Sequence, residues 1–196
     1  GWTQTHHKTT NEYDAGGFLS KRKGENGQSL TYFYNANGDV ASETNALGHT
    51  TTYAYDRHRR VNSISDAMNG VTLIGYNALG LTTLVRDPRN NSTAYTYDGL
   101  GNLLSQTSPD TGMTTFSYNS VGQRTQMQRA DLSITAYTYD TLGRIKTQAS
   151  GGQTRTLGYD TCSNGKGQLC TAAKSGGTAT SASFAYTPWG QLATRQ

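Results

Sequence analysis

Five aspartates recur along the chain in the same local setting: Asp14, Asp56, Asp98, Asp140 and Asp160, each directly after a tyrosine. Paired carboxylates can do acid–base work, and a glycosidase needs two of them within several Å of each other. Here the equivalent position is Asn at Asn35, Asn77 and Asn119. Acid–base chemistry does not tolerate that exchange, whereas a turn does, because either side chain can accept from the backbone two residues on. On successive turns of one sheet edge the carboxylates would also stand about 10 Å apart. The aspartates therefore read as turn residues.

Other chemistry is scarce. There is no Gly-x-Ser-x-Gly nucleophile elbow, phosphate loop or His-Glu-x-x-His in the chain. His6 and His7 are adjacent, so on a strand they point to opposite faces and suit one metal poorly. His49 and His58 are isolated turn residues. The two cysteines, Cys162 and Cys170, lie in "DTCSNGKGQLC". Two sulfurs are too few for a zinc site. A hairpin with an enlarged turn would let them face each other as a disulfide, and secretion would favour it; free thiols are the other reading, and both stay open. Asn91-Ser92-Thr93 matches a glycosylation acceptor, a motif common by chance. No catalytic residue, metal or cofactor is expected.

What positions the aspartates is a period. Tyr13, Tyr34, Tyr55, Tyr76, Tyr97, Tyr118 and Tyr139 are each followed by Asp or Asn, and every step is 21 residues. Looser copies follow at Tyr159 and Tyr186. Gly17, Gly38, Gly80, Gly101, Gly122 and Gly143 stand four residues after their tyrosines, and Arg59 breaks the series. Such self-similarity marks a repeat architecture. In "TTTYAY", Tyr53 and Tyr55 share one face and Thr52 and Ala54 the other. "DRHR" is a turn, "RVNSIS" a return strand and "DAMNG" a second turn. Asn26-Gly27, Asn69-Gly70, Asp87-Pro88 and Ser108-Pro109 punctuate the second turns. Gly at the fourth position suits a left-handed residue closing a type I turn with a bulge.

The expected fold is all-β: antiparallel β-hairpin repeats of 21-residue period, about 18 strands in all, forming a curved, spiralling sheet or shell segment. Open twisted sheets longer than about 10 strands curl. One array covers 1–196, with regular repeats over 13–158 and irregular terminal repeats at 1–12 and 159–196. The apolar residues six after the tyrosines (Leu19, Val40, Val61, Leu103, Ile145) are expected to fill the gaps between rings; Thr82 and Arg124 depart from this. Packing explains the tyrosines better than stacking on sugars or bases, since stacking sites need no fixed period.

Composition agrees. Only 33% of residues are hydrophobic and mean hydropathy is −0.68, too polar for an ordinary core. Yet 13 tyrosines and 15% charged residues do not fit disorder. The net charge of +4 is scattered, and the cluster Arg57-His58-Arg59-Arg60 reads as a solvated turn, so no nucleic acid is expected. No stretch is apolar for long enough to span a membrane as a helix, and Gly1 opens no secretory signal. The irregular ends read either as caps or as cuts; cuts would leave strand edges that pair with other copies.

"YTYDGLGNLL" and "YTYDTLGRIK" make the chain recognisable. It resembles the Rhs, or YD-repeat, family, whose repeat reads aromatic-x-Tyr-Asp-x-x-Gly-Arg/Asn-apolar. The resemblance runs from Tyr13 to about Gly190, with departures at Arg59 and Ser163. It implies β-sheet ribbons that spiral into hollow shells. In bacterial polymorphic toxins and insecticidal toxin complexes such a shell encloses a C-terminal toxic domain; in animal teneurins a similar shell takes part in adhesion. The Asp-Pro-rich autocleavage segment of the toxins has no counterpart here, because Asp87-Pro88 sits in an ordinary repeat turn. The implied role is a structural scaffold segment of a secreted or surface-associated bacterial protein, with an enclosed toxin domain, other YD repeats or other copies as partners. A carbohydrate-binding or adhesion module for polysaccharide, or a self-assembling extracellular filament, is the alternative.

Overall fold

The computed structural model describes residues 8–196. They form eighteen strands in two compact units, the first ending at Ala94 and the second running over Tyr95–Gln196, and the division falls within one strand.

The first unit holds β1 (Thr10–Tyr13), β2 (Leu19–Lys23), β3 (Ser29–Tyr34), β4 (Val40–Asn45), β5 (Thr50–Tyr55), β6 (Val61–Ser65), β7 (Val71–Tyr76), β8 (Thr82–Arg86) and the start of β9 (Ser92–Tyr97). Each strand pairs antiparallel with the next. The second unit continues through β10 (Leu103–Ser108), β11 (Gly112–Tyr118), β12 (Arg124–Gln128), β13 (Ile134–Tyr139), β14 (Ile145–Ser150), β15 (Gln153–Tyr159), β16 (Leu169–Ser175), β17 (Thr180–Tyr186) and β18 (Leu192–Arg195). Its pairings follow the same meander.

Alternation decides the faces. In β5, Thr52 and Ala54 are exposed while Tyr53 and Tyr55 are half-buried; β9 and β13 repeat the pattern. The opposite face carries hydroxyl pairs, such as Thr96–Ser105 and Thr138–Thr147, each with oxygens 2.6 Å apart. Cys170, 1% exposed, is the sole apolar side chain fully out of water among the described residues. The sheet therefore has no thick core, and its rings are covered by neighbouring turns.

Eight hairpins that end in a repeat tyrosine slip their register there. Phe33 faces Ser42, but Tyr34 faces Val40, leaving Ala41 as the extra residue of a bulge. The same slip occurs at Tyr13, Tyr55, Tyr76, Tyr118, Tyr139, Tyr159 and Tyr186. The glycines four residues on are left-handed, from φ 76° at Gly190 to 87° at Gly101. Arg59 takes the same conformation at φ 62°, so the break in the glycine series leaves the turn intact.

Candidate functional site

Seven first turns use one device. The Oδ1 of Asp14, Asn35, Asp56, Asn77, Asp98, Asn119 or Asp140 accepts the N–H groups two and four residues on, at 2.8–3.2 Å. Amide and carboxylate oxygens do this equally, so Asp and Asn interchange. The fifth residue often returns a side-chain bond to the other carboxylate oxygen: Asn102 Nδ2 to Asp98 and Arg60 Nη2 to Asp56, at 2.8 and 2.6 Å.

Within each unit, a repeat is then tied to the one before. The Tyr34 hydroxyl donates to the Leu19 carbonyl at 2.9 Å, Tyr55 to Val40 at 2.8 Å, and Tyr76 to Val61 at 2.7 Å. In the second unit Tyr118 donates to Leu103 at 2.9 Å, Tyr139 to Arg124 at 2.7 Å, Tyr159 to Ile145 at 3.0 Å and Tyr186 to Leu169 at 2.8 Å. The acceptor is in each case the backbone of the residue six after the previous tyrosine, or its counterpart in the irregular repeats. The tie thus runs to the main chain of the residue expected to fill the gap. A carbonyl serves whatever its side chain, so Arg124 fits the series as well as Leu103.

The ring faces are covered too. Phe18 meets Tyr34 at 4.8 Å between centroids. Arg60 lies 4.5 Å over Tyr76, Arg144 4.2 Å over Tyr159, and Arg124 4.8 Å over Tyr137. Such cation–π contacts contribute about 0.5–1 kcal/mol at exposed sites, and they occupy faces on which a sugar would stack. The open grooves along this edge are lined by these same groups: Asp56, Arg60 and Tyr76 in one, Asp140, Arg144 and Tyr159 in another.

The electrostatics do not suit proton transfer. Hydrogen bonds from Arg60 hold the Asp56 carboxyl down at about 2, and those from Arg144 do the same for Asp160. The Asn102 amide lowers Asp98, and the Asn91 amide lowers Asp87. Arg144 bridges Asp140 and Asp160, at 2.7 Å and 3.1 Å. That carboxylate pair is thus clamped by a cation, the opposite of a raised general acid. Burial, with a hydrogen bond to Glu43 at 2.9 Å, pushes the Tyr53 phenol up to about 12. His58 Nε2 accepts from Arg57 at 3.2 Å. His6 and His7 lie outside the described residues. Among the described residues no group of three or more His, Cys, Asp and Glu could hold a metal ion. Asn91 of the acceptor motif donates to Asp87 at 2.8 Å.

Cys162 and Cys170 are disulfide-bonded, with Cα atoms 5.3 Å apart. They do not face each other across paired strands: Cys162 lies in the turn and Cys170 in β16. The reason is the turn's size, since Asp160 N–H closes on the Gln168 carbonyl (3.1 Å) where Asp140 closes on Arg144.

The sequence profile of the teneurin YD-shell family matches residues 3–170. The chain belongs to the teneurin YD-shell family. The fold of this YD-shell chain is similar to the crystal structure of TcdB2-TccC3-Cdc42, with a TM-score of 0.74, 15% identity, and coverage of 91% of this chain and 12% of that one. The crystal structure of TcdB2-TccC3 without its hypervariable C-terminal region gives 0.73, with the same identity and coverage. At that identity the likeness is one of fold, and the YD-shell chain spans about 12% of the length of those chains. No curated protein matches it.

Two features of the YD-shell repeat escaped the sequence. The second turns use the same Asx device: Asn45, Asp66 and Asp87 accept from residues two and four on at 2.8–3.1 Å. These three are also 21 residues apart, a signal present but masked because Gly48, Asn69 and Asn90 share the left-handed place. At "NG" in the turn after β6, Asn69 rather than Gly70 is left-handed. Gly70 lets the carboxylate lie close: a Cβ there would stand 2.6 Å from Asp66 Oδ2, which would have to shift, whereas His49 and Asn91 carry side chains at the same place.

Proposed function

We propose that this chain is wall material: a single array over 1–196 within a shell that encloses or carries another domain of a secreted, toxin-like bacterial protein. The observation that carries the reading is where the polar groups go. Among the described residues the turn carboxylates hold their own turns, while the tyrosine hydroxyls and the stacked arginines tie one repeat to the next. The burial pattern supports it. Among the described residues Cys170 alone is a fully buried apolar side chain. A sheet with so little covered surface suits a lining or partition. The fold likeness to TcdB2-TccC3 structures points the same way. The proposed role is non-catalytic.

Electron cryo-microscopy of the longer protein that this reading requires tests it. A closed wall around separate density is expected. An extended repeat chain enclosing nothing would overturn the proposal.

A further inference from the structure

The enlarged turn of the eighth repeat is folded differently from the others. At the tip position three residues after the tyrosine, Leu100, Val121, Leu142 and Trp189 stand 73–87% exposed in their turns. Cys162 holds that position after Tyr159, and its bond to Cys170 turns the tip back onto the sheet. Gly165 packs directly against the sulfurs: a Cβ there would lie 2.3 Å from Cys162 Sγ and 2.6 Å from Cys170 Sγ. Inside the ring, Gly165 N–H donates to the Cys162 carbonyl and Gln168 N–H to the Gly165 carbonyl, at 2.9 and 2.8 Å.

The folded-back loop forms a socket for Tyr186. Ser163 carbonyl accepts the Tyr186 N–H at 3.2 Å, and Asn164 Nδ2 donates to the Tyr186 carbonyl at 2.8 Å. The Tyr186 hydroxyl reaches the Leu169 carbonyl, next to Cys170. All three contacts lie on residues 163–169, inside the ring that the disulfide closes. They matter because β16 and β17 pair only from Thr171↔Ser183 to Lys174↔Thr180. Phe184, Ala185 and Tyr186 lie beyond that ladder, and the socket ties this end of β17 to the preceding repeat.

We propose that the Cys162–Cys170 bond is a redox latch: oxidised, it holds the Tyr186 end of the β17–β18 hairpin; reduced by a dithiol, it lets that end go while the hairpin itself stays formed. The two sulfurs are unequal. Cys162 is half-buried and Cys170 is 1% exposed. A reductant thiolate attacks Cys162 Sγ, the S–S bond breaks, and its electron pair goes to Cys170 Sγ, which already takes the Cys162 N–H at 3.0 Å. The second reductant thiolate then attacks the mixed disulfide, forming the reductant's own disulfide and releasing the Cys162 thiolate. The protein gains two electrons and, on protonation, two thiols. The hairpin's attachment would follow the redox state of its compartment.

Residue-resolved amide exchange of the full chain, with and without dithiothreitol, tests this. Reduction should speed exchange at Tyr186 and Gly165 by about tenfold or more. Gly190, inside the β17–β18 turn, and Gly143, in an earlier turn, should not change. The double variant Cys162→Ser/Cys170→Ser should show the reduced pattern without dithiothreitol and no response to it. Protection at Tyr186 that survives reduction overturns the proposal, as does acceleration at Gly143 and Gly190 alike, or a dithiothreitol response in the double variant.

Discussion

Replacing Tyr118 with Phe isolates the tie between repeats. The ring stays, and only the hydroxyl that donates to the Leu103 carbonyl at 2.9 Å is lost. Both groups are neutral and half-buried, so the net loss should be about 1 kcal/mol, the usual worth of such a bond. At a urea dependence near 2 kcal/mol per molar, the midpoint falls by roughly 0.5 M. Tyr139→Phe removes the next rung, to the Arg124 carbonyl at 2.7 Å. The two rungs share no partner, so the double variant should lose about 2 kcal/mol, additive to within ~0.5. Tyr137→Phe is the control. Tyr137 is not a rung of this ladder; it stands two residues earlier with Arg124 over its ring, and its change should stay within about 0.5 kcal/mol. Urea titrations of the four proteins, followed by circular dichroism, decide it. If Tyr118→Phe is as mild as Tyr137→Phe, or if the pair costs no more than one alone, the hydroxyls do not join the repeats.

Further outcomes follow from the turns. Leu132 is left-handed at φ 65° and 74% exposed; Leu132→Gly should stabilise by about 0.5 kcal/mol once glycine's greater unfolded entropy is set against the relief. Gly143→Ala should cost about 1–2 kcal/mol, because φ is 82° and the new Cβ would meet Gln123 Nε2 at 2.9 Å; thermal melts read both. Asp56, Asp98 and Asp160 have folded values below the ordinary carboxylate range. A depressed folded value stabilises above the unfolded pKa, so their contribution should be complete above about pH 4 and fade toward pH 2. Asp98→Asn should keep the neutral-pH melting temperature, since Asn does this job at Asn77 and Asn119, yet flatten the acid side of a melting-temperature profile. Gly165→Ala should expose thiols to Ellman's reagent in unfolded, unreduced protein, because its Cβ would displace both sulfurs.

Much of this structure was legible in the sequence because repetition averages out accident. The 21-residue step, the alternation in "TTTYAY" and the glycines at left-handed positions came through together. What did not come through lies on the backbone. A carbonyl acceptor leaves no letter behind; its trace was the odd presence of Arg124 among apolar residues, which looked like an exception and was a consequence. Arg59 also looked like a defect. Its φ of 62° keeps the turn, and its guanidinium reaches back to Asp39 at 2.7 Å. The disulfide stayed undecided because strand pairing was the wrong frame for it. Four extra residues, relative to the Asp140–Arg144 turn, free Cys162 from the ladder and let it fold back onto β16.

The bulge at each tyrosine answers a problem of parity. Phe33 faces Ser42, and Ser42 faces Thr52, so crossing two strands advances the chain by 19 residues, whereas the motif advances by 21. The difference is two, and side chains two apart share a face. Thr52 and Ala54, the counterpart of Phe33, therefore lie on the same side. If the pairing ran on from Tyr34↔Val40 without the slip, Phe33 would face Ala41 and the crossing would advance by 20. The motif would then be one residue out of step, and a one-residue slip sends every side chain to the other face. Tyrosines would alternate sides, and each hydroxyl would point away from the carbonyl it needs. The same slip at Tyr55, Tyr76, Tyr118 and Tyr139 keeps the ladder on one side of each unit. The two-residue offset also staggers successive repeats by about 7 Å along the strand. That stagger brings the tyrosine ring of one turn under the Phe18, Arg60 or Arg144 side chain of the turn before it. Bulge, ladder and ring cover are one mechanism, and a repeat that kept its 21-residue length but paired on from the tyrosine without the slip would lose all three.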